Sequence, residues 1–454
     1  MGETTPITAN GGDKVIVDAA GTTLTLHSVG KSLRTGIATN IKNNKTIDIT
    51  ADKLIINAEN TGGMSRAYGI WYTGNNSTLD VHGDTDITTN GSDWSYGILS
   101  GMASKVNLQG LKVAVNKEAK ESGALKGSGN SMISVNVKDG VVGNHKVQID
   151  GDVITQLEIN DDGFGTVTQT GPSTINLALT SAESFWNGSS VYTDTVEEGF
   201  DEDETITKTH GDVNLWLQNG ARWTNARSGK QDFAGYKGSY LTKLVGGADT
   251  SKSGVILQKD AKDITIGDYS GQTLVIYEHK ADLPADPNTG LSIVGGHTVI
   301  KKAAPGSGIT LLTDNAGLKT SSTLAADRNL VSGTLNALAN KLYYTAYKSG
   351  EKNLTGTVKI AEGLTAQSAE LQAGPITFKE ADGQGQYLYT PAEDHPTHQI
   401  KTEFGTTLDG IAAKDKEYID GGVRQVVDGK PVYNFTENST ITVDDEDFAG
   451  LDAY

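Results

Sequence analysis

Few side chains in this sequence have the type and spacing that chemistry demands. Asp161 and Asp162 stand side by side, with His210 further along. A carboxylate pair is what glycosidic-bond cleavage needs, one acid to protonate the leaving oxygen and one carboxylate to activate water or form a covalent intermediate. The run Asn160, Asp161, Asp162 and Gly163 reads more simply as a turn, because short polar side chains before Gly favour turn backbones. Two acidic runs, Glu197 and Glu198 with Asp201 to Glu204, and Asp444 to Asp447, offer oxygen ligands for calcium but lack the fixed spacing of a calcium loop. Solvated loops that keep chains apart are the expectation there. His395 and His398 have a metal-like spacing, yet Pro396 bars a regular helix from presenting both rings and no third ligand is near. No Gly-x-Ser-x-Gly elbow and no phosphate-binding Gly-x4-Gly-Lys-Ser/Thr loop occurs. The expectation is no catalytic residue, no metal site and no cofactor.

Aromatic side chains make up only 6% of the chain, so their placement carries weight. Tyr68, Gly69 and Ile70 recur as Tyr96, Gly97 and Ile98, 28 residues later. Strand alternation puts Tyr68 and Ile70 on one face, and Tyr96 and Ile98 likewise, as an internal ladder. Trp71 then points outward beside Tyr72, with Trp94 just before the next strand. Trp71, Tyr72 and Trp94 are the candidate ligand contacts, an aromatic row able to stack on sugar faces or pack on a partner.

The elements that must position these rings are short strands. After each Tyr-Gly-Ile copy come two alternating segments, 78–81 then 86–89, and 105–108 then 113–116, with a weaker copy at 35–37, 46–49 and 54–57. The unit is strand, turn, strand, turn, strand, with Gly, Asn or Asp between. No helical pattern separates these strands. Parallel pairing between successive repeats therefore predicts a right-handed parallel β-helix in an all-β chain. A second repeat joins 174–179 and Trp186 to 212–217 and Trp223. A third joins 244–247 and 254–257 to 293–296 and 308–311. One helical excursion is expected at 324–348, where Val331, Leu335, Leu338 and Leu342 share one face, packed outside the coil. Strands resume at 355–360, 375–378 and 439–443.

Composition agrees with many thin layers rather than one thick core: 454 residues with 55 Gly, 9 Pro and 36% hydrophobic residues, and no linker that divides them. Residues 1–454 are expected to form a single domain. The absence of cysteine removes disulfides and thiol chemistry, and favours a chain that crosses an oxidising periplasm unfolded. A net charge of -18 argues against nucleic acid and anionic lipid as partners. Residues 1–10 are too polar for a signal peptide, so an exported form is expected to have lost its signal.

The segments VNLWLQNGARWTN, VGGADTSKSGVILQKDAKDITIGDYSGQTLVIYEH and GTLNALANKLYYTAYKSGEKNLTGTVKIAEGLTAQSAELQAGPITF resemble passenger domains of monomeric, pertactin-like (type Va) autotransporters of Veillonella-like bacteria. The resemblance spans 212–378 and, in style, the earlier part. It implies a β-helix carried outside the outer membrane by a covalently linked C-terminal β-barrel that is not in this sequence. It also implies adhesion, autoaggregation and biofilm formation as the role. The Gly-Asp-Ser-Gly and Gly-Asp-Ser-Leu stretches of protease and lipase passengers are absent, and the family supplies no binding motif to carry over.

These lines converge on a surface-displayed or secreted adhesin whose partners are a receptor or glycan on host or bacterial cells, or a second passenger on a neighbouring cell. About 15 to 20 coils would reach on the order of 70 to 100 Å. The alternative is a β-helix polysaccharide hydrolase or lyase. Asp161, Asp162 and His210 with Gly211 match two motifs of polygalacturonase-like enzymes, whose Asn-Thr-Asp and Arg-Ile-Lys motifs are missing. A passive stalk for an activity elsewhere in the full-length protein is the third reading.

Overall fold

The computed structural model describes residues 5–9, 14–39, 43–62, 65–156, 159–161, 167–169, 172–193, 211–233, 236–279, 293–314, 318, 320, 325–361 and 370–388, with the backbone of a hairpin at 422–427 and 430–435. The protein is mostly β, built on a large, nearly closed sheet of mainly parallel strands beside a seven-stranded parallel sheet. Period-2 alternation does the sorting. In Thr46–Asn60, Ile47, Ile49, Leu54 and Ile56 are buried while Asp48, Thr50 and Ile55 sit nearer solvent.

Most strands pair in parallel with their counterpart one repeat later. One column runs from Lys14–Gly30 through Thr46–Asn60, Thr78–Asn90, Lys105–Val115, Met132–Val135, Thr174–Leu179, Asp212–Leu217, Gly238–Val245, Asp263–Ser270 and Thr298–Ala303 to Leu342–Tyr344. That is eleven strands among the described residues, with register partners 25 to 44 residues apart. The two strands read at 78–81 and 86–89 are one strand, Thr78–Asn90, that turns a corner at Gly83. Gly83 has φ +110, and a Cβ there would meet the Ala51 carbonyl oxygen at 1.9 Å, so only Gly fits.

Stacking repeats each position as a ladder. One inward ladder passes through Ile149, Trp186, Trp223, Ile256, Val275, Leu311 and Val358, all fully buried. The indoles of Trp186 and Trp223 stack at 4.7 Å and 5°. Each Nε1–H finds a carbonyl, Gly151 for Trp186 at 3.0 Å and Gly188 for Trp223 at 2.9 Å, so neither leaves a buried donor unpaired. Ser77, Ser104, Ser131 and Ser173 form a second ladder just before their strands, each accepting the backbone N–H of the next repeat at 2.8 Å. Asn44, Asn76 and Asn130 take left-handed backbones at the adjoining turns, where the short amide tolerates positive φ.

Several sequence-based expectations are corrected. Tyr68 and Ile70 do not share a face. Gly69 lies toward the interior, where a Cβ would meet Ile87 Cγ2 at 2.2 Å and the Gly97 carbonyl at 2.6 Å. Consecutive residues Gly69 and Ile70 thus both face inward, an irregularity that reverses the alternation and leaves Tyr68 in a separate cluster outside the main core. The third repeat is also re-paired: Gly254–Gln258 lies against Gln272–Tyr277, which in turn lies against Ser307–Asp314, so the segments read as neighbours are two repeats apart.

The helix is Ala325–Ala339 rather than 324–348, because Leu342–Tyr344 pairs with Thr298–Ala303 as the last strand of the first column and Thr345–Ser349 is a 3₁₀ turn. Val331, Leu335, Leu338 and Leu342 are buried as read, but within the main core rather than on an outer wall. Beyond Leu354–Ala361 the pairing turns antiparallel, to Glu370–Phe378. Phe378 packs edge-on to Tyr344 at 5.6 Å, so helix, hairpin and aromatic rings close this end of the core. Residues 439–443 lie outside the described residues.

Two substitutions test this packing by denaturant unfolding. Trp223→Ala, which opens a cavity within a stacked pair, should cost about 3–5 kcal/mol. Gly69→Ala should cost about 1–3 kcal/mol, since the added methyl overlaps Ile87.

Candidate binding surface

The seven-stranded sheet carries the aromatic residues on its outer face, in register. Arg34–Ala38, Arg66–Thr73, Trp94–Gly101 and Glu121–Ser128 bring Thr35, Tyr68, Tyr96 and Gly123 into one row, and Ala38, Trp71, Leu99 and Lys126 into the next. Tyr68 stacks on Tyr96 at 5.9 Å and on Trp71 at 5.4 Å. Arg66 lies 3.9 Å over the Trp94 ring, and Lys126 4.9 Å over Tyr96, both favourable contacts of a cation with a π face.

Burial divides the candidates. Trp71 and Trp94 are half-buried and keep ring surface open. Tyr72 is fully buried on the opposite, inner face, its hydroxyl donating to the Thr78 carbonyl at 2.7 Å, and this removes it from the candidate contact surface. Tyr72 lies two residues after Ile70 and shares its inner face by ordinary strand alternation, whereas the Gly69 irregularity puts Tyr68 out of phase with both. Tyr68 and Tyr96 are almost wholly covered, and burial raises both phenols well above their ordinary range. Tyr96 therefore stays a donor, to the Glu121 carboxylate at 3.0 Å. Burial likewise lowers the Lys126 ammonium below its ordinary value, against the raising influence of Glu121.

One end of this face is covered by the chain itself. Residues 226–233 fold back over earlier strands, and Phe233 joins Tyr96, Ile154 and Val191. Arg227 holds this segment down: its Nε donates at 2.9 Å to Asp152, a carboxylate with no exposure, and its guanidinium lies 4.6 Å over Phe233. The second Asp152 oxygen accepts the backbone N–H groups of Ser189 and Ser228. Lys230 reaches the Glu118 carboxylate. Sequence reasoning missed this latch, since 75 residues separate Arg227 from Asp152.

Of the other candidate chemistry, Asp161 ends a strand, Ile159–Asp161, paired antiparallel with Val167–Gln169. Asp162, His210, both acidic runs, His395 and His398 lie outside the described residues. Among the described residues no three carboxylate, imidazole or thiol groups converge as a cation site. No protein-family model, curated protein or solved structure matches this chain.

Asp152→Ala should destabilise the protein by about 3–5 kcal/mol, because it strands a partly buried guanidinium. Protection of the 226–233 amides from hydrogen exchange should fall along with it.

Proposed function

We propose that these strands wind as a right-handed parallel β-helix, and that the protein is the surface-displayed passenger of a Gram-negative autotransporter that attaches cells by binding rather than by catalysis. The observation that carries this reading is the register itself: one column of eleven parallel strands, each laid on its counterpart one repeat earlier. At the spacing of paired strands such a column is about 50 Å tall. Held at one end by a covalently linked outer-membrane barrel, it would carry its lateral faces clear of the membrane.

Two lateral faces support a binding role. One is the aromatic row of Trp71 and Trp94 with Arg66 and Lys126 beside it. The other is a polar ladder in register, Asp80, Asn107, Ser134, Asn176 and Asn214, with side-chain hydrogen bonds from Asn107 to Asp80 at 2.8 Å, from Asn176 to Ser134 at 3.2 Å and from Asn214 to Asn176 at 2.9 Å. Repeated weak contacts along a common axis add by multivalency, which suits a receptor or glycan on a host or bacterial cell, or a second copy of the protein on a neighbouring cell. The net charge of -18 opposes nucleic acid as partner.

Displayed through a heterologous barrel on a non-adherent bacterium, the protein should confer sedimentation or attachment to bacterial or host cells. Trp71→Ala with Trp94→Ala should reduce that gain severalfold without changing surface display. No gain, with display verified by surface labelling, contradicts the adhesin reading.

A further inference from the structure

At one corner the stack departs from its own pattern. Where Gly83 and Gly110 turn the chain tightly, residues 136–146 intervene in the next repeat between Met132–Val135 and Val147–Asp150. They form a small hairpin in which Val137 pairs with Val142 and Lys138 with Val141. Asp139 and Gly140, at φ 50 and 79, supply the left-handed turn that matches strand twist. Its base is clamped by a buried side chain. Asn136 Nδ2 lies 3.1 Å from the carbonyls of His145 and Ala178, and its Oδ1 accepts the His145 N–H at 3.1 Å.

The clamped hairpin stands beside the polar ladder and encloses a cleft of about 400 Å³. Its wall is apolar, Val137, Val141 and Val142, and Val141 is 72% exposed. Its floor is polar: Asp80, Asn107, Gln109, His82 and His145. His82 Nε2 sits 3.2 Å from the Asp48 carboxylate and His145 Nδ1 3.5 Å from that of Asp84. Each ring thus has a carboxylate beside one of its nitrogens.

We propose that this cleft binds one or two units of an uncharged saccharide. The proposal rests on the adhesin reading and names one of its sites. A pyranose has an apolar C–H face and a rim of hydroxyls, and the cleft opposes a valine wall to a row of carboxylate, amide and imidazole groups. An anionic sugar would meet Asp80 and Asp139, with Asp48 and Asp84 behind them, against Lys138 alone among the fixed cations lining the cleft. An extended peptide needs unpaired backbone to lie along, whereas the strands under the floor are already paired on both sides.

The test is a glycan array carrying neutral, sialylated and sulfated structures, probed with the purified 454-residue chain, Val141→Asp and Asp80→Asn. Val141 is exposed, so Val141→Asp should keep the wild-type thermal melt. The wild type should bind a neutral subset, and each substitution should weaken that binding at least tenfold. Binding confined to sialylated or sulfated glycans, or unchanged binding by Val141→Asp, overturns the proposal. If the purified chain binds no neutral glycan while cells displaying it still attach, the cleft assignment falls and the adhesin reading stands. If displayed cells do not attach either, both fall.

Discussion

Everything in this molecule depends on one constraint: a parallel strand laid in register on its predecessor puts like positions on top of each other. A side chain is then judged by the residue one repeat before and one repeat after it. Trp186 can be buried because Trp223 stacks on it and Gly151 accepts its indole N–H. The same rule makes polar positions cheap to repeat. Asn214 donates its amide N–H to the Asn176 side-chain carbonyl oxygen along the outside of the column, and the turn serines hand their carbonyls upward to the next strand.

The constraint also explains why the chain's surface features stand at departures from it. A perfectly repeated coil would have flat faces and tight corners. Here the aromatic face is covered at one end by residues 226–233, fixed by the buried Arg227–Asp152 pair, and one corner is expanded into the hairpin that Asn136 clamps. Both are additions to loops, which the stack tolerates because the strands before and after them still pair. Arg227 serves placement more than stability: an ion pair this buried gains little over a well-packed apolar pair but is costly to break.

Much of the architecture was legible in residue spacing. The offset from Tyr68 to Tyr96, and that from Trp186 to Trp223, are true register partners. The aromatic row was legible only in part. Trp71 and Trp94 do lie at the surface, but Tyr68 leaves the inner face because Gly69 takes an extra inward place, a bulge that alternation read from sequence has no way to register, while Tyr72 lies inside because it follows Ile70 by two residues. The helix was found by its apolar face, yet Leu342 continues that face in sequence while pairing with Thr298 in space. The hairpin at 137–142 has a local signal, Asp139-Gly140 before two valines, that is shorter than any repeat period. The Arg227–Asp152 contact left none, since a single long-range ion pair has no period.

The central claim is that the strands form one continuous stack rather than several globular units, and small-angle X-ray scattering tests it most directly. A single stack predicts a skewed pair-distance distribution, with a peak at the cross-section and a long, nearly linear decay. A symmetric distribution with a maximum dimension typical of a compact particle of this mass, or a curve with several maxima, would contradict it.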